Sequence, residues 1–326
     1  MTRLTVRCES WPIRGTFTIS RGSKTTADVV VVGLSRDGKA GRGEAVPYAR
    51  YGESMQSVVG QIEGLHGPLA EGLDRAGLQG LLPAGAARNA VDLAFWDLEC
   101  KLSGKRHWEI ARLPAPRPVT TAFTLSLDSV EAMGRKAAEN GKRPLLKLKL
   151  AGPDDLDRVA AVRANAPAAR IVVDANEAWT VQQYSALAPQ LKELGVAMIE
   201  QPLPAGKDAA LAEIARPVPV CADESCHDTA TLPALKGRYD MVNIKLDKTG
   251  GLTEALKLKH AAEAEGYGIM VGCMLATSLA MAPGVLLAQG APVVDLDGPL
   301  LLAEDRTPGL RIEDSLVYPP DAALWG

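Results

Sequence analysis

Leu145-Leu146-Lys147-Leu148-Lys149 begins apolar and ends on two lysines placed two residues apart. Side chains alternate across a strand, so in an extended conformation Lys147 and Lys149 share one face. Taken alone, the stretch reads as a half-exposed strand with a solvated lysine face. The chain around it decides against that reading. Beyond Pro118, short apolar runs recur between helical stretches, at approximately Thr120 to Leu125, Leu145 to Lys149, Ile171 to Asp174, Ala197 to Glu200, Pro219 to Asp223, Met241 to Lys245, Gly268 to Cys273 and Val293 to Asp297. Eight strand-helix units in about 190 residues predict a TIM-like (β/α)8 barrel. A doubly wound sheet usually has fewer strands and a glycine-rich phosphate loop after the first. No such loop is present, and Gly41-Arg42-Gly43 is too short for a dinucleotide fingerprint.

Upstream the pattern differs. Alternation from Leu4 to Ile19, the run Val29 to Val32 and a glycine-rich turn at Gly38, Gly41 and Gly43 read as an antiparallel sheet. Between Ala86 and Leu102, Ala90, Val91, Ala94, Phe95, Leu98 and Leu102 follow helical spacing, with Gly104 as the expected C-cap. Leu113 to Pro118 holds three prolines and suits a linker. The expected organisation is an α+β capping domain over 1–115, a barrel over 116–310 and a C-terminal segment, 311–326, returning to the cap.

Composition narrows the partners. A formal net charge of -3, with 23% charged and 47% apolar residues, offers no basic footprint for nucleic acid and no basic face for a membrane. A small-molecule partner is the default. Met1 to Ser20 alternates and carries Arg3, Arg7 and Arg14, so it lacks a signal peptide's apolar core. Five cysteines, an odd set with scattered spacing, argue for reduced thiols and a cytoplasmic location. The oligomeric state is not readable, and a homo-oligomer is compatible with the sequence.

Most barrel strands end in an ionisable residue, and barrel active sites form at the C-terminal strand ends. Lys147 and Lys149 close the second strand, Asp174 the third, Glu200 the fourth, Asp223 the fifth, Lys245 the sixth, and Asp295 with Asp297 the eighth. One such carboxylate alone reads as a helix N-cap or solvated turn. Asp174, Glu200 and Asp223, separated by steps of 26 and 23 residues, stand one strand apart each and can converge on a hard divalent cation, Mg²⁺ above others. Lysines on the second and sixth strands flank that triplet from opposite sides, the arrangement needed for two-base proton exchange. Lys248, three residues after Lys245, falls in the glycine-rich turn.

Together these residues resemble the muconate-lactonising branch of the enolase superfamily, with its Lys-x-Lys strand, Asp-Glu-Asp metal set and later lysine. Asp295-Leu296-Asp297-Gly298-Pro299 and Asn243-Ile244-Lys245-Leu246-Asp247-Lys248-Thr249-Gly250-Gly251 are similar to segments of its dipeptide epimerases, as are Tyr48 to Ser54, Pro83 to Asn89 and Cys221 to His227. The resemblance spans nearly the whole chain. It implies Mg²⁺-assisted, two-base 1,1-proton transfer through an enediolate at the glutamyl α-carbon of L-Ala-D-Glu and L-Ala-L-Glu, a step in murein peptide metabolism. Lys149 and Lys245 would be the bases, Lys149 for the D-Glu form and Lys245 for the L-Glu form, with Lys147 in an electrostatic role. Asp295 and Asp297 would meet the dipeptide's ammonium, Arg21 the glutamate side-chain carboxylate, and Thr124 the peptide. Within the branch, N-succinylamino acid racemase, o-succinylbenzoate synthase and muconate cycloisomerase are the alternatives, and the ammonium-binding pair argues against each. A Schiff-base aldolase or a non-catalytic binding barrel has no need of the full acid, base and metal set.

Overall fold

The computed structural model describes residues 1–326. The N-terminal unit is a three-stranded antiparallel sheet, Arg3–Ile19, Gly22–Arg36 and Lys39–Ala45, in sequential order. Helix Ala86–Ser103 lies on one face and ends at Gly104 with φ 71°. The uninterrupted run in the second strand has a simple cause: both of its faces are covered. Val30, Val32 and Leu34 point into the unit's own core with Ala90 and Ala94, whereas Val29 and Val31 join the large core shared with the barrel. Only Gly38 of the three glycines is in the turn. Gly41 and Gly43 lie in the third strand, where an added Cβ would sit 2.3 Å from the Ala94 carbonyl oxygen and 2.1 Å from that of Ala90. Their lack of a side chain lets the helix press onto the sheet.

Eight parallel strands follow in sequential order: Phe123–Leu125, Leu145–Lys149, Arg170–Asp174, Val196–Glu200, Val220–Ala222, Met241–Ile244, Gly268–Val271 and Val293–Val294. The Ala122 amide donates to the Val294 carbonyl at 2.7 Å, joining first strand to last. The first strand is shorter than its sequence suggests. Val119–Thr120 pairs instead with Leu316–Val317, so the apolar run is divided between two sheets. Long helices follow the first three, sixth and seventh strands. The fourth is followed by the short turn Ala209–Ala212, the fifth by Thr229–Thr231 and Leu232–Leu235, and the eighth by Gly298–Leu301. The final residues reach the N-terminal unit: Trp325 Nε1 donates to Leu93 O and the Gly326 amide to Asp97. No helix is long and apolar enough to cross a membrane.

Ala122, just before the first strand, and one residue from each of the other seven, Leu145, Val172, Met198, Cys221, Met241, Met270 and Val293, form an apolar plug inside the barrel. Two residues further along each strand the side chain again points inward. That step gives Thr124, Lys147, Asp174, Glu200, Asp223, Asn243, Gly272 and Asp295. A second step gives Lys149, Lys245 and Asp297. The ring of charge is thus a direct consequence of strand periodicity above a dry floor.

Candidate active site

The ring opens into a cavity of about 500 Å³ between the barrel mouth and the turn that joins the first two N-terminal strands. Lys147, Lys149, Lys245, Asp223, Asp295, Asp297, Thr124 and Arg21 all line it. Asp174 and Glu200 lie beneath, fully buried. Oxygens of Asp174, Glu200 and Asp223 fall within 4.8 Å of one another. Each carboxylate has its own positioning partner. Asn176 donates to Asp174 from its amide at 2.9 Å and from Nδ2 at 3.2 Å. Asn243 Nδ2 donates to Glu200 at 2.7 Å. Lys248 Nζ donates to Asp223 Oδ1 at 2.6 Å, to the Asp223 carbonyl at 2.5 Å and to the Asn243 carbonyl at 2.9 Å. Gly272 makes room for Asn243, whose Oδ1 would lie 2.6 Å from an added Cβ.

The lysines divide by their surroundings. Lys147, 1% exposed, sits 2.7 Å from Glu200, 2.9 Å from Asp295 and 3.3 Å from Asp174. Burial opposes its charge, but these carboxylates outweigh that and hold its pKa well above the usual lysine value. Lys149 reaches Asp174 at 2.5 Å from the second strand, and Lys245 reaches Asp223 at 2.7 Å from the sixth. They approach the carboxylate triad from opposite walls. Lys245 and Lys248 are now distinguishable: Lys248 has all three N–H groups engaged and does not line the cavity, whereas Lys245 makes one such bond and does. Asp247 pairs with no lysine; it accepts from the Val46 amide and Asn89 Nδ2, both at 2.9 Å, tying the sixth-strand loop to the N-terminal unit.

The carboxylates respond unequally. Burial raises Asp174, yet Lys149 and Lys147 bring it down to about 2. Burial and the neighbouring Asp174 push Glu200 up to about 7. Lys147 lies beside Glu200 Oε2 but off the hydrogen-bonding direction, so that buried oxygen has no donor. An oxygen-only, convergent and under-satisfied set of this kind suits a hard metal ion. On the opposite side, Asp297 accepts from the Thr124 amide at 2.6 Å, and burial beside Asp295 raises it to about 7. Asp295 Oδ2 faces Lys147, while its Oδ1 is buried without a partner.

Arg21 is more committed than its loop position suggests. Its Nη1 donates to Asn176 O at 2.9 Å and Glu177 at 3.2 Å, and its Nη2 to Tyr48 Oη at 3.0 Å and Glu224 at 2.7 Å. Lys24, which sequence reasoning passed over, lines the same cavity, with Nζ 5.8 Å from the Tyr48 ring centroid and no carboxylate partner. Its only sequence signal was a second cation three residues after Arg21. His227 stays outside the cavity lining, stacked edge-on against Tyr51 with centroids 4.6 Å apart.

Known proteins resemble this chain in sequence and fold along nearly its whole length. Residues 129–323 match the enolase C-terminal domain-like family, and residues 1–110 match the mandelate racemase / muconate lactonizing enzyme N-terminal domain. The L-Ala-D/L-Glu epimerase of Escherichia coli K12 is 47% identical over 93% of this chain and 95% of its own. The N-acetyl-D-glutamate racemase of a Pseudoalteromonas species is 44% identical over 91% and 95%. A solved structure of an enolase family member from Agrobacterium tumefaciens, homologous to dipeptide epimerases and holding sodium and L-Ala-L-Glu with an ordered loop, superposes with TM-score 0.99 at 54% identity, covering 100% of both chains. The chain belongs to the mandelate racemase / muconate lactonizing enzyme family of enolase-like proteins.

Proposed function

We propose that this chain is an epimerase that inverts the glutamyl α-carbon of L-Ala-D-Glu and L-Ala-L-Glu. One observation carries the reading: Lys149 and Lys245 reach into one cavity from the second and sixth strands, on opposite sides of the Asp174, Glu200 and Asp223 set. One neutral lysine removes the α-proton as a general base, leaving a planar carbon. The other, as its ammonium, returns a proton to the opposite face. The two lysines then exchange protonation states in the reverse direction. The resident ion on the three carboxylates is assigned as Mg²⁺, in keeping with oxygen-only donors. When bound it acidifies the α-carbon by neutralising charge that develops on the substrate carboxylate. Lys147 adds a fixed positive charge at the same place.

The N-terminal ammonium of the dipeptide is assigned to Asp295 and Asp297, since Asp295 Oδ1 is a buried acceptor without a donor. Thr124, at the adjoining strand end, is placed beside the peptide. Lys24, free of carboxylates, is assigned to the side-chain carboxylate. Racemisation of an N-acylated glutamate is the second reading, favoured by the 44% identical relative. An acyl nitrogen carries no charge to offset the Asp295 and Asp297 pair, so the dipeptide reading is preferred. Five cysteines without a disulfide suit a cytoplasmic enzyme of murein peptide recycling.

The test is to incubate both dipeptides, and N-acetyl-glutamate in parallel, with the protein and Mg²⁺ in D₂O while the α-proton is followed by NMR. Inversion with deuterium uptake is expected for the dipeptides. Absence of both in every substrate would sink the assignment, and faster turnover of N-acetyl-glutamate would favour the second reading.

A further inference from the structure

The turn at Ser20 and Arg21 rises from the N-terminal sheet, where Ile19 pairs with Gly22, and bends over the cavity. It is stapled to three separate barrel loops. After the first barrel strand, Ser126 Oγ accepts from the Thr18 amide at 2.6 Å and the Leu127 amide donates to Thr18 O at 3.0 Å. After the third, Asn176 O accepts from Ser20 Oγ at 3.0 Å and from Arg21 at 2.9 Å, and Glu177 accepts from Arg21 at 3.2 Å. After the fifth, Glu224 accepts from Arg21 at 2.7 Å. A guanidinium has five N–H donors, and four of Arg21's are engaged by the protein, leaving Nε–H alone. A bidentate grip on a ligand carboxylate needs two parallel N–H groups, so Arg21 would first have to break one of these bonds. Two carboxylates already balance its charge, and the Glu224 side chain is 1% exposed.

We propose that Arg21 is a latch, a positioning residue that closes the turn over the cavity, and that it does not bind the substrate's side-chain carboxylate. The proposal rests on the epimerase reading for its kinetic consequence, though not for its geometry. The receiving loop is suited to the task. Asn176 and Glu177 stand in left-handed backbone, φ 44° and 68°, which turns the chain back so that Asn176 donates to Asp174 and offers its carbonyl to Arg21. Closure of the turn therefore bears on the same loop that orients a carboxylate of the triad. With the closed turn as the binding-competent state, apparent affinity falls in proportion to the closed fraction, so a broken latch, which lowers that fraction, raises KM whatever side chain the substrate carries.

Arg21→Gln, Arg21→Lys and Lys24→Met, each in the full chain, separate the two roles. kcat and KM are measured with L-Ala-D-Glu and L-Ala-D-Gln in Mg²⁺ buffer, and backbone amide exchange over residues 17–24 is followed without substrate. Arg21→Gln is expected to raise KM about tenfold for both dipeptides and to speed exchange by a similar factor, with Arg21→Lys intermediate. Lys24→Met is expected to lower the Glu-to-Gln ratio of kcat/KM about tenfold and to leave exchange in the turn as it was. A loss in Arg21→Gln confined to the glutamate dipeptide, or unchanged exchange in the turn, overturns the latch. If the unsubstituted protein inverts neither dipeptide, it is the epimerase reading that fails, and the exchange measurement still decides the latch.

Discussion

Lys147 and Lys24 bring an ammonium to the same cavity by opposite means. Lys147 projects from a barrel strand, is 1% exposed and has three carboxylates within 3.3 Å. Lys24 projects from the start of the second strand of the N-terminal sheet, is exposed, and lies over a tyrosine face. The barrel charges are desolvated and mutually dependent, so removing one member of a close ion pair leaves its partner buried and unpaired, at a cost of about 3 to 5 kcal/mol. Lys24 is solvated and unpaired, so it selects among ligands at little cost to the fold. This contrast assigns the chemistry to the barrel and the choice of substrate to Lys24, and each assignment can be broken separately.

The largest effect belongs to the barrel. Lys149→Gln or Lys245→Gln is expected to lower the inversion rate by about 10³-fold, since general-base catalysis contributes on that order. Loss of either base leaves proton exchange on one face, so NMR in D₂O should show deuterium entering one epimer without inversion. Unaffected inversion would refute the two-base scheme. Next comes Lys248→Met, which leaves Asp223 with only Lys245 and deprives two carbonyls of their buried donor. A loss of about 3 kcal/mol is expected by denaturant unfolding in EDTA, where bound ion cannot mask it. A loss below about 1 kcal/mol would mean that the barrel charges are less interdependent than their geometry implies.

The electrostatic cost of the barrel mouth has a sign that can be checked. Asp297 has its pKa raised from the ordinary aspartate value of 3.8 to about 7, by burial first and then by Asp295. The folded state then holds the proton more tightly than the unfolded one, so this group's contribution to stability falls as pH rises from about 4 through 7. Asp297→Asn should accordingly stabilise the protein at pH 8 by about 1 to 2 kcal/mol while weakening dipeptide binding. The gain should shrink as pH falls below 7, because wild-type Asp297 then takes up the proton itself. A gain independent of pH would trace to packing instead.

The same contrast explains what could be read in advance. Strand period two above an apolar floor places Lys147, Asp174, Glu200, Asp223 and Asp295 inward as soon as eight strands are recognised, because Leu145, Val172, Met198, Cys221 and Val293 precede them by two. What escaped depends on contacts distant in sequence. The first strand breaks near Thr121 because Leu316–Val317 claims Val119 and Thr120. The commitment of Lys248 emerges only once Leu246–Thr249 forms a helical turn that folds it back onto Asp223. Arg21 in the turn and Lys24 at the start of the following strand are three residues apart in one polar stretch, and nothing local says which finds Glu177 and Glu224, 156 and 203 residues from Arg21.

The smallest effect is expected where the comparison predicts almost none. Lys24→Met removes an exposed ammonium with no carboxylate partner, so no buried charge is left unpaired and no cavity forms. Its stability should stay within about 0.5 kcal/mol of the unsubstituted protein, the usual range for surface substitutions away from special contacts. Denaturant unfolding of Lys24→Met beside Lys248→Met, at one pH and in EDTA, sets two lysines of one active-site region against each other. Comparable losses would erase the division between the barrel and Lys24. A large loss in Lys248→Met alone would mean that Lys24 can be altered for new side chains while the proton-transfer machinery beneath it stays intact, because the two draw on separate sources of stability.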